Sequence, residues 1–575
     1  MYSDKKNISI LTSLLVAHGI QKAVVCPGSR NAPIVHNFSE HPLTKCFPVT
    51  DERSAGFFAI GLALATHQVV AVCVTSGSAL LNLAPAVAEA HEQHIGMVVI
   101  SADRPQQWIE QLDGQTITQP NVFGTMVNSS VNLPENIADE EEHWYCNRLI
   151  NEALLATRSP LDGPVHINVP LAEPLFNFNV ESLPEERVIR RHPATSDCSQ
   201  VVRWLFEAKR PMVVMGQCAP KMPRSLWRKV IQLIDKTGVL LAERLSDLPQ
   251  TIHVDEAMAI VADREEYVPD LIIYIGGVLV SKRMRHFLRK THAQRVVMLS
   301  RDTIIHDVTM HLTDVVQANV EDFFSEVARM GDDHEGTDAV NPMPIPGKEQ
   351  QEYHRKWASV FQFVENCAMS YLPAFSQMAA VKYFEEQLAD MDYDFHVHYA
   401  NSSSIRLANI YAGQHVYCNR GVNGIEGSLS TAAGFSAATD DMVFCIIGDL
   451  SFFYDQNALW NSNLKGNLRV ILLNNGGGGI FSTLKGLELD ETSKCLVAGG
   501  HHTRAQGICL QNDIGYLKAH DMEEMRIGIV TLLTKDTSRP MLLEIFTEAE
   551  TDAKVMNDYY QTMNTYLLWQ KENGK

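Results

Sequence analysis

The sequence has no CxxC pair, no surplus of positive charge and no apolar run approaching the roughly 18 residues of a membrane span. Each absence removes a class. The 11 cysteines are an odd number and widely scattered, which excludes a disulfide framework or a thiolate zinc site and fits a reducing compartment. The N-terminal segment places Lys5 and Lys6 ahead of an apolar stretch, but no small-residue cleavage site follows. Ile8, Ile10, Leu11, Leu14 and Leu15 recur with helical spacing, so an amphipathic first helix is predicted and a cytoplasmic protein expected. Basic residues number 48 against 68 acidic ones, a net charge of −20. Such a chain repels phosphate backbones, which excludes a general nucleic-acid binder. It also repels small anions, unless basic residues are gathered into one site.

What is present is a long globular chain. Its 575 residues, 45% hydrophobic and 20% charged, exclude a mostly disordered protein. A chain of this length predicts about three or four domains. Short apolar runs alternate with helical patterns: Ala23–Cys26, Val69–Val74, Met97–Ser101, Leu271–Ile275, Val443–Ile447 and Val470–Leu473. Continuous apolar strands with helical spacers imply parallel sheets covered on both faces. The stretches Asn177–Ser199 and Arg329–Lys348, polar and proline-containing, read as boundaries. They divide the chain into α/β segments of roughly 1–180, 195–330 and 355–575. The first and third share a loose likeness. Ala55-Gly56-Phe57 precedes a strand ending in Ser76-Gly77-Ser78, and Ala433-Gly434-Phe435 precedes one ending in Gly448-Asp449-Leu450-Ser451.

The sharpest chemical signal lies in the third segment. A predicted strand runs into Gly448-Asp449, a helix-like stretch follows from Tyr454 to Leu464, and the next strand runs into Asn474-Asn475-Gly476-Gly477-Gly478-Gly479. The interval from Asp449 to Asn475 is long enough for one crossover between parallel strands, so both clusters fall at strand carboxyl ends. Either cluster alone is an ordinary turn. Together, an Asp carboxylate and an Asn carbonyl make a hard, oxygen-only half-site suited to magnesium, with the glycines admitting phosphate.

This pairing resembles the thiamine-diphosphate signature, with Leu450 standing where a third Gly is usual. Such an enzyme needs a glutamate from the other α/β domain to protonate the aminopyrimidine. The first segment offers Glu52, in Thr50-Asp51-Glu52-Arg53, entering a helix. A bulky wedge that bends the cofactor is expected at Ile425, in a glycine-rich loop, with Phe481 packing on the ring.

Further runs narrow the branch: Cys26-Pro27-Gly28-Ser29-Arg30-Asn31-Ala32-Pro33, Thr75-Ser76-Gly77-Ser78, Ser101-Ala102-Asp103-Arg104-Pro105, His166-Ile167-Asn168-Val169-Pro170 and Asn419-Arg420-Gly421. With them the chain resembles the 2-succinyl-5-enolpyruvyl-6-hydroxy-3-cyclohexene-1-carboxylate synthase family of menaquinone biosynthesis. The resemblance covers both outer α/β segments and touches the middle one at Ser281-Lys282-Arg283. It implies a three-domain thiamine-diphosphate enzyme, each domain a mainly parallel sheet flanked by helices. The implied reaction decarboxylates 2-oxoglutarate and adds the succinyl carbanion to isochorismate, releasing carbon dioxide.

The resemblance also implies site residues. Asp449, Asn475 and the Gly477 carbonyl hold Mg2+, with Mn2+ as an alternative. Ser76, Gly77, Ile425, Gly448, Leu450, Ser451, Ile480 and Phe481 face the cofactor. Glu52, Ser29, Arg30 and Gln115 belong to the catalytic set. Arg104, Lys282, Arg283, Ser402, Arg406, Arg420 and Leu484 face substrate carboxylates, a role that suits the guanidinium fork. Gly114 stands where the family carries Asn beside Gln115, and Asn474 is expected to serve the strand-end turn.

No dinucleotide fingerprint accompanies Gly276-Gly277-Val278, so the middle segment reads as structural apart from Lys282 and Arg283. Two other readings share parts of this pattern. An acetolactate-synthase-like enzyme or 2-oxo-acid decarboxylase would keep Glu52, Asp449 and Asn475 without needing so many basic residues. A non-catalytic thiamine-diphosphate-binding module would have no use for Glu52. Because Glu52 and the metal motif lie on different domains, a homo-oligomer with the site between subunits is expected.

Overall fold

The computed structural model describes residues 1–158, 161–189, 197–218, 223–246, 253–301, 306–332, 347–479 and 496–572. Three parallel sheets account for the predicted alternation. The first runs Lys45–Pro48, Lys22–Val25, Val70–Val74, Met97–Asp103, Pro164–Pro170, Ser129–Asn132 from edge to edge. The third runs Val416–Tyr417, Phe395–Tyr399, Met442–Gly448, Leu468–Asn474, Met541–Phe546, Gly515–Ala519. Numbered in chain order within each sheet, both follow 2-1-3-4-6-5. The faint repeat in the sequence therefore corresponds to two copies of one topology. The middle sheet has five strands, between Pro211 and Gln317, in the order 2-1-3-4-5.

Central strands such as Val70–Val74, Leu271–Ile275 and Leu468–Asn474 are buried along their whole length, as strands covered by helices on both faces must be. The first helix, Lys6–Ala17, buries Ile8, Ile10, Leu11, Leu14 and Leu15 as their spacing predicts. Among the described residues no helix is long and apolar enough to cross a membrane, and ten of the cysteines are free thiols.

One expectation is corrected. The stretch from Tyr454 to Leu464 is not one helix. A short helix spans Asp449–Tyr454 and a 3-10 turn Gln456–Leu459, because Asp455 leaves the helical track. Its buried carboxylate accepts the Ser430 N–H and hydroxyl, both at 2.7 Å, anchoring the start of the helix Ser428–Ala438. At the end of the first segment, Phe178–Val180 pairs antiparallel with Tyr2–Ser3.

The first and third sheets share one core. Helix Glu52–Thr66 packs along helix Ser428–Ala438, and Phe57, Phe58, Leu429 and Phe435 join the inner strands in a single apolar cluster. The helices touch backbone to backbone. A Cβ on Gly61 would lie 2.0 Å from the Thr431 carbonyl, and one on Gly434 2.0 Å from the Phe58 carbonyl. Gly434 of the repeated motif is thus a contact point rather than a turn, while its counterpart Gly56 admits Ala86, whose Cβ would lie 2.5 Å from an added Cβ.

Candidate active site

The order of each outer sheet reverses between its first and third strands, and open α/β sheets bind ligands in the crevice at such a reversal. In the third sheet the two strands flanking it lead into Asn401-Ser402 and Gly448-Asp449. In the first sheet they lead into Cys26–Arg30 and Thr75-Ser76-Gly77. The candidate residues therefore collect at the carboxyl edges of the two sheets.

Gly448 pairs with Leu473 across the parallel strands, which brings Asp449 beside Asn474 and Asn475. Asp449 is buried, and its Oδ2 accepts the backbone N–H groups of Asn475, Gly476 and Gly477 at 3.1, 2.8 and 3.0 Å. Its Oδ1 accepts the Leu450 N–H at 2.7 Å. Burial pushes this carboxyl above its ordinary value, opposed by those N–H bonds and by His501, whose Nε2 lies 3.4 Å away. A carboxylate, a carboxamide and the Gly477 carbonyl thus come from Asp449 and the glycine run bound to it, an all-oxygen donor set whose chemistry fits a hard divalent cation. Leu450, the departure from the signature, lies over Gly499, where an added Cβ would sit 3.4 Å from its side chain. Gly448 is the N-cap of the Asp449–Tyr454 helix, and Ser451 is buried in that helix. Asn474 serves the strand end, accepting the Gly476 N–H and donating to Glu544 at 2.8 Å.

A cavity of about 340 Å³ opens beside this cluster, lined by Asn475, Asp552, Arg283 and Arg406 among others. The buried Arg406 Nε has no hydrogen-bond partner, which costs roughly 1–3 kcal/mol for a neutral donor and more for a charged one. Arg420 is buried too. Its guanidinium donates to Asn401 at 3.1 Å and to Asn423, and burial lowers its pKa. Arg283 is ion-paired with Asp255 and stacks on Tyr560, its guanidinium carbon 4.1 Å from the ring centroid. Lys282 is exposed. Ser402 adopts φ +71°, at the N-cap of the helix carrying Arg406.

Glu52 opens helix Glu52–Thr66 and accepts from Asn82 at 3.2 Å. Arg30 reaches the Leu171 carbonyl at 2.8 Å and Glu173 at 3.3 Å. Ser29 is exposed beside it. Arg104 bridges to Asp113 at 3.4 Å and to the Gly114 carbonyl at 3.0 Å, drawing the Gln115 loop inward. Gly77 packs against Gln115, Ser76 is buried, and Ile425 stands 42% exposed in its loop. None of Glu52, Arg30, Arg104 or Gln115 lines the cavity that holds Asn475 and Arg406. The residues flanking Glu52 nonetheless touch the segment that follows Asp449: Arg53 donates to the Tyr454 carbonyl at 2.8 Å, and Asp51 accepts from Asn457 at 2.7 Å. Ile480, Phe481 and Leu484 lie outside the described residues.

Sequence reasoning passed over the groups that hold these loops. Glu89 accepts the N–H groups of Gly421 and Val422 at 3.0 and 2.7 Å, fixing the loop that carries Arg420 and Ile425 onto the first sheet's helices. Gly421 permits that approach, since a Cβ there would lie 2.8 Å from the Glu92 Cβ. Gln119, fully buried, accepts the Gly77 N–H at 2.8 Å and donates to the Ala102 carbonyl and Asn168. Glu243 accepts the N–H groups of Val280 and Ser281, both at 2.6 Å, and sets the turn before Lys282 and Arg283. Only a buried carboxylate or amide without a motif marks such positions, and the sequence does not show burial.

Comparisons with known proteins agree with this geometry. Residues 8–127 match the family described as thiamine pyrophosphate enzyme, N-terminal TPP binding domain. A 2-succinyl-5-enolpyruvyl-6-hydroxy-3-cyclohexene-1-carboxylate synthase of Bacteroides thetaiotaomicron is 43% identical over 98% of this chain and 100% of its own length. The enzyme of the same name from Phocaeicola vulgatus is 41% identical over 97% of this chain and 99% of its own. An X-ray structure assigned to a thiamin diphosphate-dependent enzyme of Mycobacterium smegmatis superposes with TM-score 0.66, at 18% identity, covering 95% of this chain and 100% of that one. At that identity the superposition speaks for the fold.

Proposed function

This chain belongs to the 2-succinyl-5-enolpyruvyl-6-hydroxy-3-cyclohexene-1-carboxylate synthase family of thiamine-diphosphate-dependent transferases, and we propose that it joins 2-oxoglutarate to isochorismate with loss of carbon dioxide, in menaquinone biosynthesis. The observation that carries the substrate class is the cavity beside Asp449 and Asn475. Arg406 lines it with a buried, unpartnered Nε, and Arg283 shares its wall. A dicarboxylate supplies the acceptors that Arg406 lacks.

Thiamine diphosphate, when bound, supplies the electron sink for decarboxylation and carbon–carbon bond formation. Asp449, the Asn475 side chain and the Gly477 carbonyl would hold Mg2+ or Mn2+ against its diphosphate. Glu52 would hold and return a proton at the aminopyrimidine ring, and Ile425 would press the cofactor into its bent form. Ser76, Gly77, Gly448 and Ser451 would line the cofactor's two ends. Arg406, Arg420, Lys282, Arg283 and Ser402 would neutralise and orient substrate carboxylates, with Ser29, Arg30, Arg104 and Gln115 closing the opposite wall. The placement of Glu52 and the metal motif on different α/β domains, as in the family, supports a homo-oligomer in which Glu52 of one protomer faces Asp449 of its partner. A cytoplasmic location is in keeping with the free thiols.

Incubation with thiamine diphosphate, Mg2+ and both substrates tests this. Isochorismate is expected to disappear in step with carbon dioxide release, with pyruvate alone left unconsumed. Turnover of pyruvate with no use of isochorismate would replace this reading with an acetolactate-synthase-like or decarboxylase activity.

A further inference from the structure

An asparagine can ligate a cation only through Oδ1; its other end, Nδ2, is a donor. Asn475 therefore serves the metal site only if its carboxamide is held one way round. The described structure contains a group that does this. Asp552, in the first turn of helix Ala549–Thr562, lines the same cavity, and its Oδ2 accepts from Asn475 Nδ2 at 3.1 Å. An ionised carboxylate has no proton to offer, so the opposite orientation would set Oδ1 against a negative charge.

The carboxylate is itself fixed. Oδ1 accepts the Gln377 backbone N–H at 2.8 Å, and Oδ2 also takes the Thr547 hydroxyl at 2.8 Å. These contacts come from the start of helix Gln377–Leu388 and from the segment after strand Met541–Phe546. Asp552 is thus clamped from two sides while it holds Asn475, whose own N–H is bound by Asp449 at 3.1 Å. Main chain tied to one carboxylate and side chain to another leave Oδ1 as the end that no described residue binds.

We infer that Asp552 is the positioning residue of the metal site, turning the Asn475 carboxamide so that Oδ1 faces a divalent cation shared with Asp449. This rests on the reading of Asp449 and Asn475 as metal ligands. Groups that orient a ligand are typically worth about 10–100-fold in metal affinity.

The test is a Mg2+ titration at saturating thiamine diphosphate, read as the cofactor-dependent rise in unfolding temperature and requiring no turnover. Asp552→Ala is expected to weaken Mg2+ binding about 10–100-fold. Asp552→Asn offers one acceptor where the carboxylate serves both the Gln377 N–H and Asn475 Nδ2, and is expected to fall between Asp552→Ala and the wild type. Thr547→Val removes a clamp on the same carboxylate without touching Asn475. It should weaken Mg2+ binding less than Asp552→Ala does, because the Gln377 N–H still holds the carboxylate and Asn475 keeps its acceptor. The inference is overturned if Asp552→Ala binds Mg2+ like the wild type, if Asp552→Asn is as weak as Asp552→Ala, or if Thr547→Val weakens binding equally. A wild type with no Mg2+-dependent rise overturns the metal reading itself and this inference with it.

Discussion

Glu52 and Asp449 occupy the same kind of place, the first residue of a helix leaving a parallel strand's sheet, yet their surroundings differ. Asp449 is buried and holds three successive N–H groups of the glycine run, as a metal-binding carboxylate fixed before its ion arrives would be. Glu52 remains partly exposed, and among the described residues it accepts from the Asn82 amide through one carboxylate oxygen. Glu52→Gln keeps shape and loses the titrating proton. Turnover is expected to fall by at least about 100-fold, the scale of general acid–base catalysis, while Mg2+-dependent cofactor binding survives. Activity near the wild-type level would contradict that role. At this scale the sequence was readable wherever a residue belongs to a contiguous motif. Asp449, Asn475, Glu52 and Arg420 could be named because their neighbours announce them. Glu89 and Asp552 could not, because their partners lie 332 and 77 residues away and burial creates their roles.

Elements position these residues through buried acids at strand and helix ends. Glu243 ends the strand Val239–Ala242 and grips the turn that starts helix Lys282–Lys290. Burial pushes its carboxyl up to about 7, against the pull of the two N–H bonds. A folded-state value above the ordinary carboxylate range means that the folded chain keeps a proton the unfolded chain has lost. Its contribution is full below about pH 4.5 and is lost as pH rises through about 7, by on the order of 3 kcal/mol. Wild-type stability, measured by urea unfolding, should therefore fall from pH 5 to pH 8 relative to Glu243→Gln. Parallel curves would contradict it. Strands and the first helix were legible from apolar periodicity alone. The Tyr454 to Leu464 stretch was not, because Asp455 breaks it for a bond to Ser430 in another helix. Nor was the pairing of Tyr2–Ser3 with Phe178–Val180, which joins distant segments.

Over the whole molecule, two sheets of one topology share a core through glycine-lined helices and carry the candidate residues at their carboxyl edges. An acidic chain can still bring guanidinium groups to the site: Arg406 and Arg283 line the cavity together with Asp255, Glu256 and Asp552, Arg283 is ion-paired with Asp255, and Arg420 is buried nearby against Asn401. Sequence composition spoke for the surface alone. The central claim is that a working site joins Glu52 of one protomer to Asp449 and Asn475 of another. Its most direct test is co-expression of Glu52→Gln and Asp449→Ala chains under different tags, purification of the hybrid, and measurement of isochorismate consumption with 2-oxoglutarate. Each variant alone should be inactive, while the hybrid, which holds one site with both residues intact, should recover activity. A hybrid as inactive as its parents would contradict the account.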